Sequence, residues 1–410
     1  MKKIDTSSYK GVRDFYPEDM LILDYITSVW HEVLQSYGFE HYSASILEST
    51  ELYEAKTSDE IVNQQTYNFI DRGNRKVTLR PEMTPTVARM IAKKQRELNF
   101  PLRWYSIPNV FRYERPQKGR LREHWQLNAD IFGIKGIDAE VEIIDIAYKI
   151  MTRFGLKESD FVIRINDRKI LEKSLEDLGL DEEKKKEFTR LLDKKDKIKD
   201  FNDQAFKILG KNYDTVIEPN SEIKKITEKL NNLGIKNVVF DPNMVRGFDY
   251  YTGIVFEIFD TNPENRRSIF GGGRYDNLLE MFGTNKIPTI GFGMGDVMLK
   301  DVLESRNLLP KLIAPAILGI AILSENSTDY AVTIAKRLRE KGVDTSCYYP
   351  NKKIGDQIKY FDKKHIPFVA FIGDDEEKTG KIKIKNLRNG TEETMNQEEA
   401  FSYIQDNLKN

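Results

Sequence analysis

"RWYSIPNVFRYERPQKGRLREHWQLNADIFG", residues 103–133, sets two strand-like runs on either side of a strongly basic loop. "RWYSIPNVFRYE" and "HWQLNADIFG" are rich in aromatic and β-branched residues, and "RPQKGRLRE" between them supplies proline and glycine, so the whole reads as a long hairpin. A chain that returns through so short a connection must pair antiparallel. The expected fold of this part of the protein is therefore α+β with an antiparallel sheet. Arg112 ends the first run, and Arg115, Lys118, Arg120 and Arg122 follow it. Any one of them alone describes a solvated hairpin tip. Together they favour a polyanion, because guanidinium forks grip phosphate oxygens in pairs and stay charged.

The rest of the chain makes that patch more telling. Its 64 basic residues nearly balance 65 acidic ones, so the whole-molecule field is weak and a polyanion must be met locally. With 410 residues, 40% of them hydrophobic and 31% charged, two or three folded domains are expected rather than a disordered or membrane protein. No apolar run is long enough to span a bilayer, and the start "MKKIDTSSYKG" lacks the apolar core of a secretory signal. A single cysteine, Cys347, excludes an intrachain disulfide and suits a reducing cytoplasm. His31, His41, His124 and His365 are scattered, so no built-in metal is expected.

Working outward, "PEDMLILDYITSVWHEVLQSY" (17–37) has helical spacing of Leu23, Ile26, Trp30, Val33 and Leu34, with Pro17, Glu18 and Asp19 suited to its first turn. A strand is expected near 41–47, a hairpin over 66–79, helices over 86–97 and 139–154, and a strand over 160–166. Residues 168–230 turn lysine- and glutamate-rich and read as a helical insert. Strands resume at 237–241, 253–259 and before "GGGRYD" (271–276), and a strand-to-helix run closes this part. "NLLPKLIAPA" (307–316) reads as a linker. Beyond it strands at 317–323, 344–349, 367–373 and 381–387 alternate with helices, which is an α/β module. The expected domains are thus 1–310, with the insert at about 168–230, and 316–410.

No GxxxxGK[ST] phosphate loop is present, and "GFGMGD" lacks the third glycine of a dinucleotide fingerprint, so it reads as a flat glycine-rich strand. "VTLRPEMTPT" (77–86) places Glu82 and Thr84 just past a strand, either to grip an ammonium group or to cap the helix that follows. "VRGFDYYTGIVFEI" (245–258) offers Arg246 as a second phosphate ligand. It also opens a strand with Tyr250 and Tyr251, which alternation would send to opposite faces.

In these stretches the chain resembles the histidyl-tRNA synthetases of the class II aminoacyl-tRNA synthetases. "FRYERPQKGRLREHWQLNADIFG" is similar to class II motif 2, and "LRPEMTPTVARM" to the loop that follows motif 1. "VRGFDYYTGIVFE" and "GGGRYDNLLEMFG" are similar to the two histidine-specific signatures. The resemblance runs from "GVRDFYP" (11–17) into a C-terminal module similar to the class II anticodon-binding domain. It implies that histidine and ATP, with magnesium, give histidyl-adenylate, and that the histidyl group then passes to tRNA(His). Arg112, Arg246 and Gln126 would form the catalytic set, the two arginines on the α-phosphate and Gln126 on the histidine carboxylate. Histidine would also meet Glu82, Met83, Thr84, Asp130, Tyr250 and Tyr251, with Asp130 and Tyr251 reading the imidazole nitrogens. Glu114, Arg120 and Arg122 would serve ATP and the tRNA acceptor end. A homodimer through residues 17–47 is implied as well.

The chain departs from the pattern at two positions. Asp130 stands where many members have glutamate, and Met298 where motif 3 has an arginine, with Lys300 or Arg274 as possible substitutes. The rival reading is an inactive relative, such as the synthetase-like regulatory subunit of ATP phosphoribosyltransferase or a histidine- or tRNA-sensing paralogue.

Overall fold

The computed structural model describes residues 4–54, 65–117, 119–193, 195, 198–211, 218–244, 250–265, 267–311, 314–349 and 352–408. Two compact units divide the chain, Met1–Pro310 and Lys311–Asn410.

The first unit contains strands β1 (Glu40–His41), β2 (Leu47–Ser49), β3 (Tyr67–Ile70), β4 (Lys76–Leu79), β5 (Leu102–Ser106) and β6 (Asn109–Phe111). It continues with β7 (Glu123–Phe132), β8 (Phe161–Asp167), β9 (Val238–Phe240), β10 (Ile254–Asp260), β11 (Ser268–Arg274) and β12 (Thr289–Gly295). The main sheet runs β1-β5-β7-β12-β11-β10-β8-β9, with β6 also on β7; β2-β4-β3 form a separate small sheet. Its central pairs are antiparallel, as the hairpin reading requires, and only the outer pairs β1–β5 and β8–β9 are parallel.

Alternation decides what each face does. On β7 Leu127, Ala129 and Ile131 point to the core, as do Ile254, Phe256 and Ile258 on β10 and Ile290, Phe292 and Met294 on β12. Helices Pro17–Ser36, Asp138–Arg153, Ser221–Asn232 and Asp296–Ser305 contribute to that same core. Trp30, fully buried, donates its indole N–H to Met294 Sδ at 3.1 Å; removing such a side chain costs about 3–5 kcal/mol. The other face of the sheet carries the polar members of the same strands.

Three expectations change here. The run 103–114 is not one strand. Pro108, which has no N–H to give, separates β5 from β6, and its carbonyl accepts from Gln126 N at 2.9 Å. The strand expected at 41–47 is likewise divided between β1 and β2, which belong to different sheets. Residues 168–230 divide between two cores. Helices Arg168–Asp177, Glu182–Asp193 and Phe201–Leu209 share Leu171, Leu175, Phe188, Leu191, Leu192 and Phe201, whereas Ile223, Ile226 and Leu230 join the main core.

In the second unit β13 (Leu318–Ile322), β14 (Thr345–Tyr348), β15 (Phe368–Ile372), β16 (Lys381–Asn386) and β17 (Glu392–Asn396) run in the order β14-β13-β15-β16-β17. β13 is parallel to both of its neighbours, and β15-β16-β17 are antiparallel. β17 is an addition to the expected strands; the "RNGT" turn before it is a hairpin signal. Among the described residues no helix is long and apolar enough to cross a membrane.

Candidate active site

A cleft of about 1560 Å³ lies over the polar face of the main sheet. Its floor follows from strand register. His124, Gln126, Asn128 and Asp130 are alternate residues of β7 and all line the cleft. On the neighbouring β12 the three partners of Gln126, Asn128 and Asp130 are Gly295, Gly293 and Gly291. On β11, Gly271 and Gly273 pair with Gly293 and Gly291 in turn. The space above these strands exists because the residues that would fill it have no side chains. A Cβ at Gly291 would stand 1.9 Å from Asp130 Oδ1, and one at Gly293 would stand 2.8 Å from Gln126 Nε2. "GFGMG" is therefore the flat strand its spacing suggested, and its glycines make room for the residues opposite.

The polar row is internally oriented. Asn128 Nδ2 donates to the Gln126 carbonyl at 3.0 Å, which turns Asn128 Oδ1 toward Gln126 Nε2 at 2.7 Å. His124, beside Gln126, is driven down to about 3 by burial and by the Arg112 guanidinium, so it is neutral in the working pH range. Asp130 is buried, and among the described residues no cation pairs with it. Burial pushes its carboxyl up to about 7, against the pull of a hydrogen bond from the Tyr275 hydroxyl to Oδ1.

Glu82 and Thr84 line the cleft too. The helix there is Thr84–Lys94, and Met83 occupies its N-cap without a side-chain cap bond, so neither Glu82 nor Thr84 acts as the cap. Tyr250 donates its hydroxyl to Glu82 Oε2 at 3.2 Å. Tyr250 and Tyr251 both face the cleft, with ring centroids 4.9 Å apart. The expectation of opposite faces fails because both precede β10, where alternation does not yet apply. Arg112 lines the cleft and is steadied by a bond from Nε to the Pro81 carbonyl at 2.9 Å. Glu114 and Arg120 also line it, paired with each other at 3.1 Å.

Some expected residues lie elsewhere. Met83 is fully buried and absent from the cleft wall. Arg122 is also off the wall. Its Nε donates to the Glu114 carbonyl at 3.1 Å and its guanidinium sits 4.0 Å above the Tyr113 ring, so it braces the loop rather than facing a ligand. Gly11, with φ +87°, passes directly beneath it and would carry a Cβ 2.8 Å from Arg122 Cγ. Arg274 is clamped by Glu140, Asp276 and the Gly136 carbonyl, and Lys300 reaches toward Asp19 at 3.9 Å; neither lines the cleft in place of the missing arginine. Met298 does line it, under Gly119 of the basic loop. Arg246 and Lys118 lie outside the described residues.

The cleft also holds residues that motif reading missed. His124 and Asn128 were recoverable by counting in twos from Gln126 and Asp130. Tyr275 lies inside "GGGRYD", but nothing in the spacing links it to Asp130. Arg267, whose Nη2 donates to Gln117 Oε1 at 3.1 Å, has no local signal at all.

Comparison with known proteins identifies the family. The family model "Histidyl-tRNA synthetase" matches residues 11–207 and 204–297, and "Anticodon binding domain" matches 318–407. A histidine–tRNA ligase of Leptospira biflexa is 41% identical, the match covering 99% of each chain. The crystal structure of histidyl-tRNA synthetase from Nostoc superposes with a TM-score of 0.82 at 25% identity, over 99% of this chain and 100% of that one. A Bacillus halodurans structure described as an ATP phosphoribosyltransferase regulatory subunit/histidyl-tRNA synthetase reaches 0.71 at 22% identity, over 88% of this chain and 97% of that one, and speaks to the fold alone. With both family models in chain order and full-length identity to a ligase, the protein belongs to the histidyl-tRNA synthetase family.

Proposed function

We propose that the chain is a histidine–tRNA ligase, which activates histidine with ATP and transfers the histidyl group to the terminal adenosine of tRNA(His). The observation that carries this reading is the convergence of Glu82, Thr84, Arg112, Gln126, Asp130, Tyr250 and Tyr251 on one glycine-floored cleft. Residues 1–310 are assigned to catalysis, with the helical insert cut back from 168–230 to about 168–209, and 316–410 to anticodon binding.

Each group has work suited to its chemistry. Glu82 and Thr84 take the α-ammonium of histidine. The Gln126 amide orients its carboxylate. Asp130 accepts from one imidazole nitrogen and Tyr251 meets the other. A different amino acid would leave Asp130 Oδ2 without the donor it is placed to meet, which is a strong basis for rejection. The histidine carboxylate attacks the α-phosphorus of ATP, bound as its magnesium complex. The new C–O–P bond forms as the Pα–O bond to pyrophosphate breaks. Arg112, and Arg246 by family resemblance, meet the charge on the pentacovalent phosphorus. No side-chain nucleophile is needed, so rate comes from orientation and fixed positive charge. Glu114 and Arg120 serve the adenine and outer phosphates. The working form is proposed to be a cytoplasmic homodimer built through residues 17–47. A purely regulatory role has Met298 in its favour, but full-length identity to a ligase weighs against it.

Charging of tRNA(His) with labelled histidine by the purified full-length chain tests the proposal. Histidyl-tRNA should accumulate in an ATP-dependent manner. Binding of tRNA and histidine without any charging would sink the ligase reading.

A further inference from the structure

Among the described residues, one hydroxyl is the only side-chain group that hydrogen-bonds the Asp130 carboxyl. The Tyr275 hydroxyl donates to Oδ1, and both residues are almost wholly buried. On β12 the facing residue is Gly291, whose backbone lies so close that any Cβ would strike Oδ1. On β5 the facing residue is Trp104, which carries no titratable group. Among the described residues the neighbouring ionisable groups include the tyrosines Tyr42, just past β1, and Tyr250 with Tyr251, whose rings lie 5.6 and 6.3 Å from that of Tyr275. Glu82 lies beyond Tyr250, whose hydroxyl it accepts. Arg80, on the side of Tyr42, is committed to the carbonyls of Ala44 and Asn109. Oδ2 has no hydrogen-bond partner among the described residues, and Asp130 lines the cleft.

Resting on the histidine-activating reading, we propose that Tyr275 is a positioning residue for side-chain recognition: it occupies Oδ1 of Asp130 so that Oδ2 alone is offered to a ligand N–H. Tyr275 does not itself touch the imidazole. It sets the direction of the acceptor and helps keep that acceptor ionised, since a donated hydrogen bond favours the carboxylate over the acid. Burial alone would leave Asp130 protonated, and a protonated carboxyl offers its ligand the wrong partner. The pocket thus works near neutral pH because the tyrosine opposes the desolvation that brings the carboxyl up to about 7. Removing the hydroxyl raises the carboxyl further, so the pH below which histidine is lost must move upward.

The test is histidine binding by calorimetry across roughly pH 5.5–9, on full-length wild type, Tyr275→Phe and Asp130→Asn, with the KM for ATP measured in parallel by pyrophosphate exchange. Free histidine titrates identically in all three, so differences between them belong to the protein. Tyr275→Phe should weaken histidine by about tenfold, the order of one charge-assisted hydrogen bond. Its acid limb should shift to higher pH, while the KM for ATP stays unchanged. Asp130→Asn should lose the protein's share of the pH dependence. An unmoved limb in Tyr275→Phe with wild-type affinity would overturn the proposal, as would weakening that is independent of pH. Wild type that binds no histidine would overturn it together with the functional reading; wild type that binds histidine but performs no exchange would overturn only the latter.

Discussion

The two ends of the cleft are built on opposite principles. At the β7 end, polar side chains stand on one strand and face glycines on the next, so their places are set by backbone register. At the other end, a loop between β6 and β7 holds its cations through side-chain contacts. Arg120 pairs with Glu114, Arg122 stacks on Tyr113, and Gly119 rests over Met298. The first end suits a small ligand that must be told from its relatives. The second suits a polyanion, since Arg120 lines the cleft with its side chain 47% exposed and can reach phosphate oxygens from there. Selectivity for histidine is therefore expected to be rigid and backbone-determined, and phosphate handling to be adaptable.

Mutations should separate the ends. Arg112, where they meet, has the largest expected effect: Arg112→Ala should lower the kcat of pyrophosphate exchange on the order of 10³-fold while calorimetry still detects histidine. Loss of histidine binding too would blur the division. Gly291→Ala comes next. The added carbon displaces Asp130, so the KM for histidine should rise on the order of 10²-fold with ATP little changed. Equal damage to both substrates would mean that the register argument is wrong.

Asp130→Asn should trade function for stability. A carboxyl whose folded pKa lies above its unfolded value stabilises the protein at low pH and loses that contribution as pH rises toward about 7. Above that pH the asparagine variant should be more stable, by about 2 kcal/mol in denaturant unfolding, with histidine binding weakened and the protein's share of its pH dependence gone. The gain should vanish near pH 4. A variant that is destabilised at alkaline pH would contradict the burial account of Asp130. Arg122→Ala should have the smallest effect: a melting temperature lower by a few degrees, with exchange and tRNA charging falling together. A defect confined to charging would return Arg122 to the tRNA-facing role that its sequence position suggested.

What could be read in advance follows the same division. The antiparallel hairpin, the helix over 17–36 and the parallel strands of the second unit were legible because period and turn chemistry are local. So were Gln126 and Asp130, since they lie in one continuous motif. Pro108 broke an apparent strand because aromatic enrichment outweighed one proline in the reading. Arg122, expected at a ligand, and Arg274, left open as a substitute for the missing arginine, were hard to place from sequence for a common reason. A sequence shows that a guanidinium is present, but its partners, Tyr113 and Tyr9 in one case and Glu140 in the other, are distant or unremarkable in the chain. The Tyr275–Asp130 bond spans 145 positions and was invisible for that reason.

The central claim is that this glycine-floored cleft activates histidine and no other amino acid, despite methionine at position 298. ATP–pyrophosphate exchange by the full-length protein, with histidine and then with other amino acids in turn, addresses it most directly. The account predicts exchange with histidine alone. Exchange with none of them, while histidine still binds, would contradict it.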